Sequence, residues 1–78
     1  NMEVGNLVWR AVDPSQPEIL QKVSREQRSR LGHGVVLSKR ETGNPLHPCV
    51  SVYYPRVGEI YEIAESLLEV IGFGRREY

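Results

Sequence analysis

Two histidines and the single cysteine are the side chains best suited to metal binding or nucleophilic attack. His47 and Cys49 alternate onto one face of a predicted strand, and His33 begins the neighbouring predicted strand. Three such ligands would hold zinc with one open coordination position, and a cysteine beside a histidine can act as a nucleophile. No third orienting group or set of oxyanion donors accompanies them. We therefore interpret them as strand-end polar residues and a small packed thiol, and predict no metal site.

Acidic residues and glycines give no stronger indication of catalysis. The closing segment carries four carboxylates without a base, which is typical of solvated outward positions: Glu59, Glu62, Glu65 and Glu69. The glycines form neither a GxGxxG pattern nor a GKS/T phosphate loop. A chain of 78 residues also has little room for an enclosed cleft. We predict a protein without enzymatic activity, cofactor or small-molecule substrate.

Basic and aromatic residues suggest a different chemistry, the binding of a charged macromolecule. Residues 22–40 contain six lysine or arginine residues and a single acidic residue, Glu26. Aromatic rings beside such a segment can stack on nucleic-acid bases while the cations neutralise phosphates. The candidate rings are Trp9, Tyr53, Tyr54 and Tyr61. The formal net charge is zero, however, whereas nucleic-acid-binding domains are usually strongly basic. We therefore predict association with a protein partner or with a second copy of this chain as a homodimer. Nucleic-acid binding is kept as the alternative.

Length and composition indicate one domain with a small core. A chain of this size buries roughly 60–65% of its unfolded surface. One cysteine excludes an intrachain disulfide and favours a reducing compartment, so we predict a cytoplasmic protein. No apolar run approaches the roughly 18 residues of a membrane helix, and we predict no membrane partner. Asn1 precedes Met2, which is typical of a remnant of tag removal.

The elements that position these side chains begin with a strand and a helix. Residues 6–12 alternate between two faces and include β-branched and aromatic residues, which predicts a strand. Residues 15–31 predict a short amphipathic helix, with Ser15 as N-cap and Glu18 completing a capping box. The apolar face of this helix is thin, so a flexible charged loop remains the alternative.

Two further strands follow, each bounded by turn residues. The alternation of residues 33–41 and 47–54 predicts the second and third strands. Residues 42–45 (TGNP) predict a turn between them, and residues 55–58 (PRVG) predict a hairpin turn after the third strand. The third strand places three large side chains on one face: Val50, Val52 and Tyr54.

The run EIYEIAESLLEVI, residues 59–71, fits either a helix or two strands joined by a turn. As a helix it would align Ile60, Ile63 and Leu67 on one face. A hairpin turn directly before it favours strand–turn–strand, because an antiparallel partner for the third strand would then begin near Glu59. Tyr61 and Ile63 would continue the alternation beside that strand. We predict two strands and keep the helix as the alternative.

The succession VGNLVW, GVVLSKRE, VSVYYP and EIYEIAESLLEVI resembles the small SH3-like barrels that bacteriophages encode as uncharacterised reading frames. The resemblance covers nearly the whole chain except residues 13–31, which look like an insertion in the first long loop. It implies a 3₁₀ turn over residues 65–67 and, for a phage protein, location in the host cytoplasm. A PxxP-binding surface is not expected, because the first loop is basic and lacks aromatic residues.

These observations predict a mostly β, five-stranded SH3-like barrel with a helical insertion at about residues 15–31. We predict a single domain over residues 1–78, with residues 72–78 as a mobile tail. The predicted function is that of a non-enzymatic binding or adaptor module for a protein partner or a second copy. The predicted binding residues are Trp9, Lys22, Arg25, Arg28, Arg30, Lys39, Arg40, Tyr53 and Arg56.

Overall fold

The computed structural model describes residues 2–40 and 47–73 and is mostly β. Its elements are β1 (Asn6–Arg10), α1 (Glu18–Leu31), β2 (Gly34–Arg40), β3 (Cys49–Tyr54), β4 (Glu59–Ala64), a 3₁₀ turn (Glu65–Leu67) and β5 (Leu68–Phe73). The five strands form one antiparallel sheet in the order β4-β3-β2-β1-β5. The predicted mostly β fold with one helical insertion is confirmed. The strand pairing of the described residues is that of an open sheet, so closure into the predicted barrel is not shown.

Residues 59–71 form strand, 3₁₀ turn and strand, so the two-strand prediction is confirmed and the helix is excluded. Val50 pairs with Ile63 and Val52 with Tyr61, which is the alternation expected after a hairpin turn. β4 and β5 do not pair with each other, however. The 3₁₀ turn carries the chain from one edge of the sheet to the other, where β5 pairs with β1.

The core lies on one face of the sheet. Its least exposed large side chains are Val8, Val36, Val50, Val52 and Tyr54. The face of β3 that was predicted to carry Val50, Val52 and Tyr54 together is therefore the buried face. On β1 the inward apolar residue is Val8, and strand alternation directs Arg10 to the same side. This inward arginine at the end of β1 becomes important for the candidate site.

Gly34 allows the strands over this core to pack closely. It pairs with Val8, and a Cβ at this position would lie 2.4 Å from Val52 Cγ1 and 2.9 Å from the Tyr53 carbonyl oxygen. Real Cβ atoms do not approach other atoms so closely, and one of the two neighbours is backbone. A side chain at residue 34 would therefore force the sheet apart.

α1 is a regular helix, which excludes the flexible loop considered for residues 15–31, but the predicted capping box is wrong. The helix begins at Glu18, its N-cap is Pro17, and no side chain caps it. Ser15 instead donates its N–H and its hydroxyl to Asp13 Oδ1. Ser15 lies two residues before the N-cap, and its hydrogen bonds to Asp13 form a local turn that precedes the helix.

Only the C-terminal end of α1 is buried in the protein. Leu31 is 8% exposed, whereas Ile19 is 67% and Leu20 48% exposed. Val23 is similarly open. The helix therefore presents an apolar N-terminal half that the described part of the chain does not cover.

Several predicted boundaries shift. β1 ends at Arg10 and β3 begins at Cys49, so both strands are shorter than predicted. β5 continues to Phe73, and the first two residues of the predicted tail are therefore strand residues. Asn1, the turn at residues 42–45 and residues 74–78 lie outside the described residues. In the described ranges, no helix is both long enough and apolar enough to cross a membrane.

Candidate functional site

Trp9 and Arg28, two predicted binding residues, belong to a structural cluster with Glu69. The Arg28 guanidinium carbon lies 4.1 Å from the centroid of the Trp9 ring, and Arg28 Nε donates to the Arg10 carbonyl oxygen at 2.8 Å. Trp9 Nε1 donates to Glu69 Oε1 at 2.9 Å, and Arg28 Nη2 lies 3.5 Å from the same oxygen. We call these three residues the Trp9 clamp. It fastens α1 to β1 and β5, and Arg28 covers a ring that was predicted to stack on a base.

Arg56 also has a structural role. It donates to the carbonyl oxygen of Ser29, near the end of α1. Its guanidinium packs against Gly32, where a Cβ would lie 3.0 Å from Arg56 Cζ and where φ is +69°. The side chain therefore joins the turn between β3 and β4 to the end of the helix.

The remaining predicted residues do not converge on one site. Lys22, Arg25 and Arg30 lie with Glu26 and Ser29 around a shallow groove on α1, and Arg25 is paired with Glu18 at 2.8 Å. Lys39 and Tyr53 are exposed elsewhere on the sheet. Arg40 ends β2, and its side chain lies outside the described residues.

Tyr53 belongs to an apolar row on the face of the sheet opposite the core. Leu7 pairs with Val35, Val35 with Tyr53, and Tyr53 with Ile60, so the row crosses four strands. Ile60 is 61% exposed. We call these four residues the outer row, which is a second candidate surface for a protein partner.

A deeper concave feature lies between α1 and the β4 edge. Two grooves of about 420 and 330 Å³ meet at Arg10 and Leu67, which line both of them. One wall is formed by α1 side chains: Leu20, Val23, Gln27, Arg30 and Leu31. The other wall is formed by residues 61–64 and Leu67. We call this feature the α1–β4 trough.

Ala11 closes the bottom of this trough. Its N–H donates to the Leu67 carbonyl oxygen at 2.9 Å, which joins the end of β1 to the 3₁₀ turn. The α1–β4 trough therefore has a fixed floor between two walls, and apolar side chains contribute to both walls. Such a surface is suited to holding a chain segment.

Arg10 lies on the floor and is only partly exposed. Its Nη1 donates to Gln27 Oε1, a neutral acceptor. The ion pairs of Arg25 with Glu18 and of Arg28 with Glu69 do not include Arg10. The charge of Arg10 also acts on Tyr54: burial raises the pKa of this phenol, and the nearby guanidinium opposes that rise.

Tyr61 forms part of the β4 wall. Its ring meets the Tyr54 ring edge-on, with centroids 5.8 Å apart. Its hydroxyl donates to Glu59 Oε1, and this hydrogen bond raises the pKa of Tyr61. Arg30 lies close enough to oppose the rise. The wall therefore presents an aromatic ring with its polar end directed toward Glu59 and Arg30.

His33, His47 and Cys49 are not brought together as a metal-binding group in the described part of the chain. Cys49 Sγ contacts the carbonyl oxygen of His47 at 3.8 Å, rather than its imidazole. Among residues 2–40 and 47–73, no group of three or more His, Cys, Asp or Glu side chains is placed to hold a metal ion.

No protein-family model, curated protein or solved structure matches this chain. Among the predicted binding residues whose side chains the structure describes, only Arg30 lines the α1–β4 trough. Sequence analysis missed Arg10, Leu20, Gln27 and Leu67 as site residues. The inward alternation of Arg10 with Val8 was the signal that could have identified the floor, because a charge on the core side of a strand needs a polar opening.

Proposed function

We propose that this protein is a non-enzymatic binding module that holds a segment of another protein in the α1–β4 trough. The observation that supports it most directly is the trough itself, with apolar side chains on both walls and an arginine on the floor. The exposed Leu20 and Leu67 extend this apolar surface to solvent. A bound segment would cover both side chains and gain roughly 25 cal/mol for each Å² of apolar surface removed from water.

The SH3-like barrel and the phage origin remain part of this proposal. The 3₁₀ turn at Glu65–Leu67, directly before the last strand, is what the resemblance implies for the end of the chain. Phage origin, and with it the host cytoplasm, rests on the sequence resemblance alone. Binding modules of this size need no catalytic group, and a small fold can serve many functions.

Nucleic-acid binding has less support than protein binding. Arg28 covers the Trp9 ring, Tyr54 is buried, and Arg56 packs against the end of α1. The exposed basic side chains of α1 favour nucleic-acid binding, but Arg25 is paired with Glu18. Few of the predicted rings and cations are therefore free to contact bases and phosphates together.

Selection from a displayed library of random peptides on the immobilised full chain tests the proposed function. We expect enrichment of a peptide family whose binding is lost with Leu20→Asp and with Leu67→Asp, because each places a charge on an apolar wall. Ile60→Asp is the matched control, since it adds the same charge to an exposed aliphatic position of β4 on the outer row.

The pattern of loss decides between the two surfaces. Loss with Leu20→Asp and Leu67→Asp, but not with Ile60→Asp, supports the trough. Loss with Ile60→Asp alone would move the binding site to the outer row. Failure to enrich any peptide, together with binding of short oligonucleotides at low salt, would replace the protein partner with nucleic acid.

A further inference from the structure

The outer edge of β4 opens into the α1–β4 trough. Residues 61–64 are consecutive, and all four line the trough. Successive side chains of a strand point to opposite faces, so four consecutive residues can line one groove only if the groove runs along the strand edge. The feature between α1 and β4 is therefore bordered by backbone as well as by side chains.

This backbone edge is available for strand pairing. In the described part of the chain, β4 pairs with β3 alone and is the last strand on its side of the sheet. An edge strand exposes a row of N–H and C=O groups, and an extended peptide satisfies them by adding to the sheet. Strands pair at a spacing of about 4.8 Å, which places an added strand between β4 and α1.

The charge on the floor selects among extended peptides. Arg10 donates to a neutral amide, although it is half-buried beside apolar side chains. Arg30 lies on the α1 wall of the same trough and adds a second cation. Two acids line the trough: Asp13, which already accepts two hydrogen bonds from Ser15, and Glu62 on the β4 wall, which is also engaged in an interaction. A guanidinium in such a place binds a carboxylate more strongly than a neutral group, because charge-assisted hydrogen bonds strengthen away from water.

We infer that the α1–β4 trough accepts an extended acidic peptide segment, which adds to β4 as a sixth strand and places a carboxylate on Arg10. This inference rests on the proposed function and specifies the chemistry of its partner. Every second side chain of the added strand faces the trough, so an acid flanked at alternate positions by apolar residues fits the floor and the walls. A second copy of this chain, contributing its own acidic β4, is an outcome that the test distinguishes.

Three synthetic peptides test the inference on the full chain. The first is a capped peptide of alternating valine and threonine with one central glutamate, and the other two carry glutamine or lysine at that position. Titration is followed by NMR of backbone amides and arginine Nε–H groups at low ionic strength. We expect the glutamate peptide to shift the β4 amides and the Arg10 Nε–H, and to bind at least about tenfold more tightly than the glutamine peptide.

Charge variants identify the cation responsible. Arg10→Gln is expected to abolish the preference for glutamate, and Arg30→Gln to reduce it. Arg25→Gln removes the same charge from α1 outside the trough and is expected to leave the preference unchanged. If Arg10→Gln does not fold, the glutamate–glutamine comparison on the unaltered chain still decides the question.

Each outcome has one meaning. Equal affinity for the three peptides, or amide shifts confined to the outer row, overturns the acidic-strand inference. If library-selected peptides bind the trough while all three strand peptides fail, the proposed function stands and this inference falls. If neither set binds, the proposed function fails too. Dimerisation by sedimentation that competes with the glutamate peptide would replace the peptide with a second copy.

Discussion

Arg28 and Arg10 show two different uses of arginine in adjacent parts of one small fold. Arg28 is held by the Trp9 ring, a backbone carbonyl and the Glu69 carboxylate. Arg10, whose own carbonyl accepts the Arg28 hydrogen bond, directs its guanidinium into the α1–β4 trough and donates to the amide of Gln27. The first arginine fastens the helix to the sheet, and the second lies on the floor of an open surface. The predictions below separate a stabilising role from a binding role.

The difference shows that basic residues grouped in a sequence do not make one surface. Arg28 lies in the basic run that first suggested nucleic acid, yet it stabilises the fold. Arg10 lies outside that run and reaches the candidate site. The Arg28 guanidinium is held on one face by the Trp9 ring and at its edge by a carbonyl and a carboxylate oxygen, so it cannot turn toward a ligand without breaking these contacts. The function of a given cation therefore depends on its partners in the fold.

The largest expected effect is the loss of the Trp9 clamp. Trp9→Ala is expected to lower the free energy of unfolding by about 3 kcal/mol, because it removes a large half-buried ring, its hydrogen bond to Glu69 and the surface on which Arg28 lies. Urea unfolding followed by circular dichroism measures this. Tyr53→Ala, in the outer row, serves as the control with a loss of about 1 kcal/mol. If Trp9→Ala and Tyr53→Ala lower the free energy of unfolding equally, the Trp9 clamp contributes no more stability than an exposed aromatic ring.

Arg28→Ala is expected to cost about 2 kcal/mol, since it removes a cation–π contact and a charged hydrogen bond to the Arg10 carbonyl. Arg10→Gln is expected to cost under about 1 kcal/mol, because glutamine keeps a polar group beside Gln27. The same unfolding measurement compares the two. A larger cost for Arg10→Gln than for Arg28→Ala would reverse the roles assigned to these residues.

The sequence predicted the sheet better than the site. Alternation in β3 and the turn at residues 55–58 were sufficient to place Tyr61 and Ile63 opposite their partners. The capping box failed because Pro17, rather than Ser15, occupies the N-cap position, and Ser15 bonds to Asp13 in a turn before the helix. The site was missed because the α1–β4 trough arises from elements distant in the chain, and side-chain spacing along one element cannot reveal how a helix faces a strand edge.

The tyrosine titration gives a spectroscopic test of where Arg10 lies. Burial raises the pKa of Tyr54 above its usual value of 10.0, and the Arg10 charge opposes that rise. Arg10→Gln is therefore expected to move part of the tyrosine absorbance change to higher pH, whereas Arg28→Ala is not. Tyr54→Phe removes the affected transition and identifies it. If Arg10→Gln titrates like the unaltered chain, the Arg10 charge does not lie near Tyr54.

The same pKa shift sets the sign of a stability change at alkaline pH. Because the pKa of Tyr54 is raised in the folded state, its stabilising contribution is present below pH 10.0 and is lost as the pH rises through the folded pKa. Tyr54→Phe is expected to reduce this loss when thermal midpoints are compared from about pH 9 to about pH 12. A loss of the same size in Tyr54→Phe would assign it to other groups.

The smallest stability change is expected at the trough wall. Leu20→Ser alters a side chain that is 48% exposed, so the free energy of unfolding should change by no more than about 0.5 kcal/mol. Peptide binding should nevertheless weaken, because the bound segment would cover this residue. Urea unfolding and peptide titration of the same variant make the comparison. A large loss of stability would mean that Leu20 supports the helix rather than the ligand.

The most direct test of the account is NMR mapping of a library-selected peptide on the isotope-labelled full chain. We expect amide shifts that follow both walls of the α1–β4 trough, at Leu20, Gln27, Ile63 and Leu67, with a shift of the Arg10 Nε–H and little change at Arg28. Shifts that instead follow the outer row, at Leu7, Val35, Tyr53 and Ile60, would contradict it.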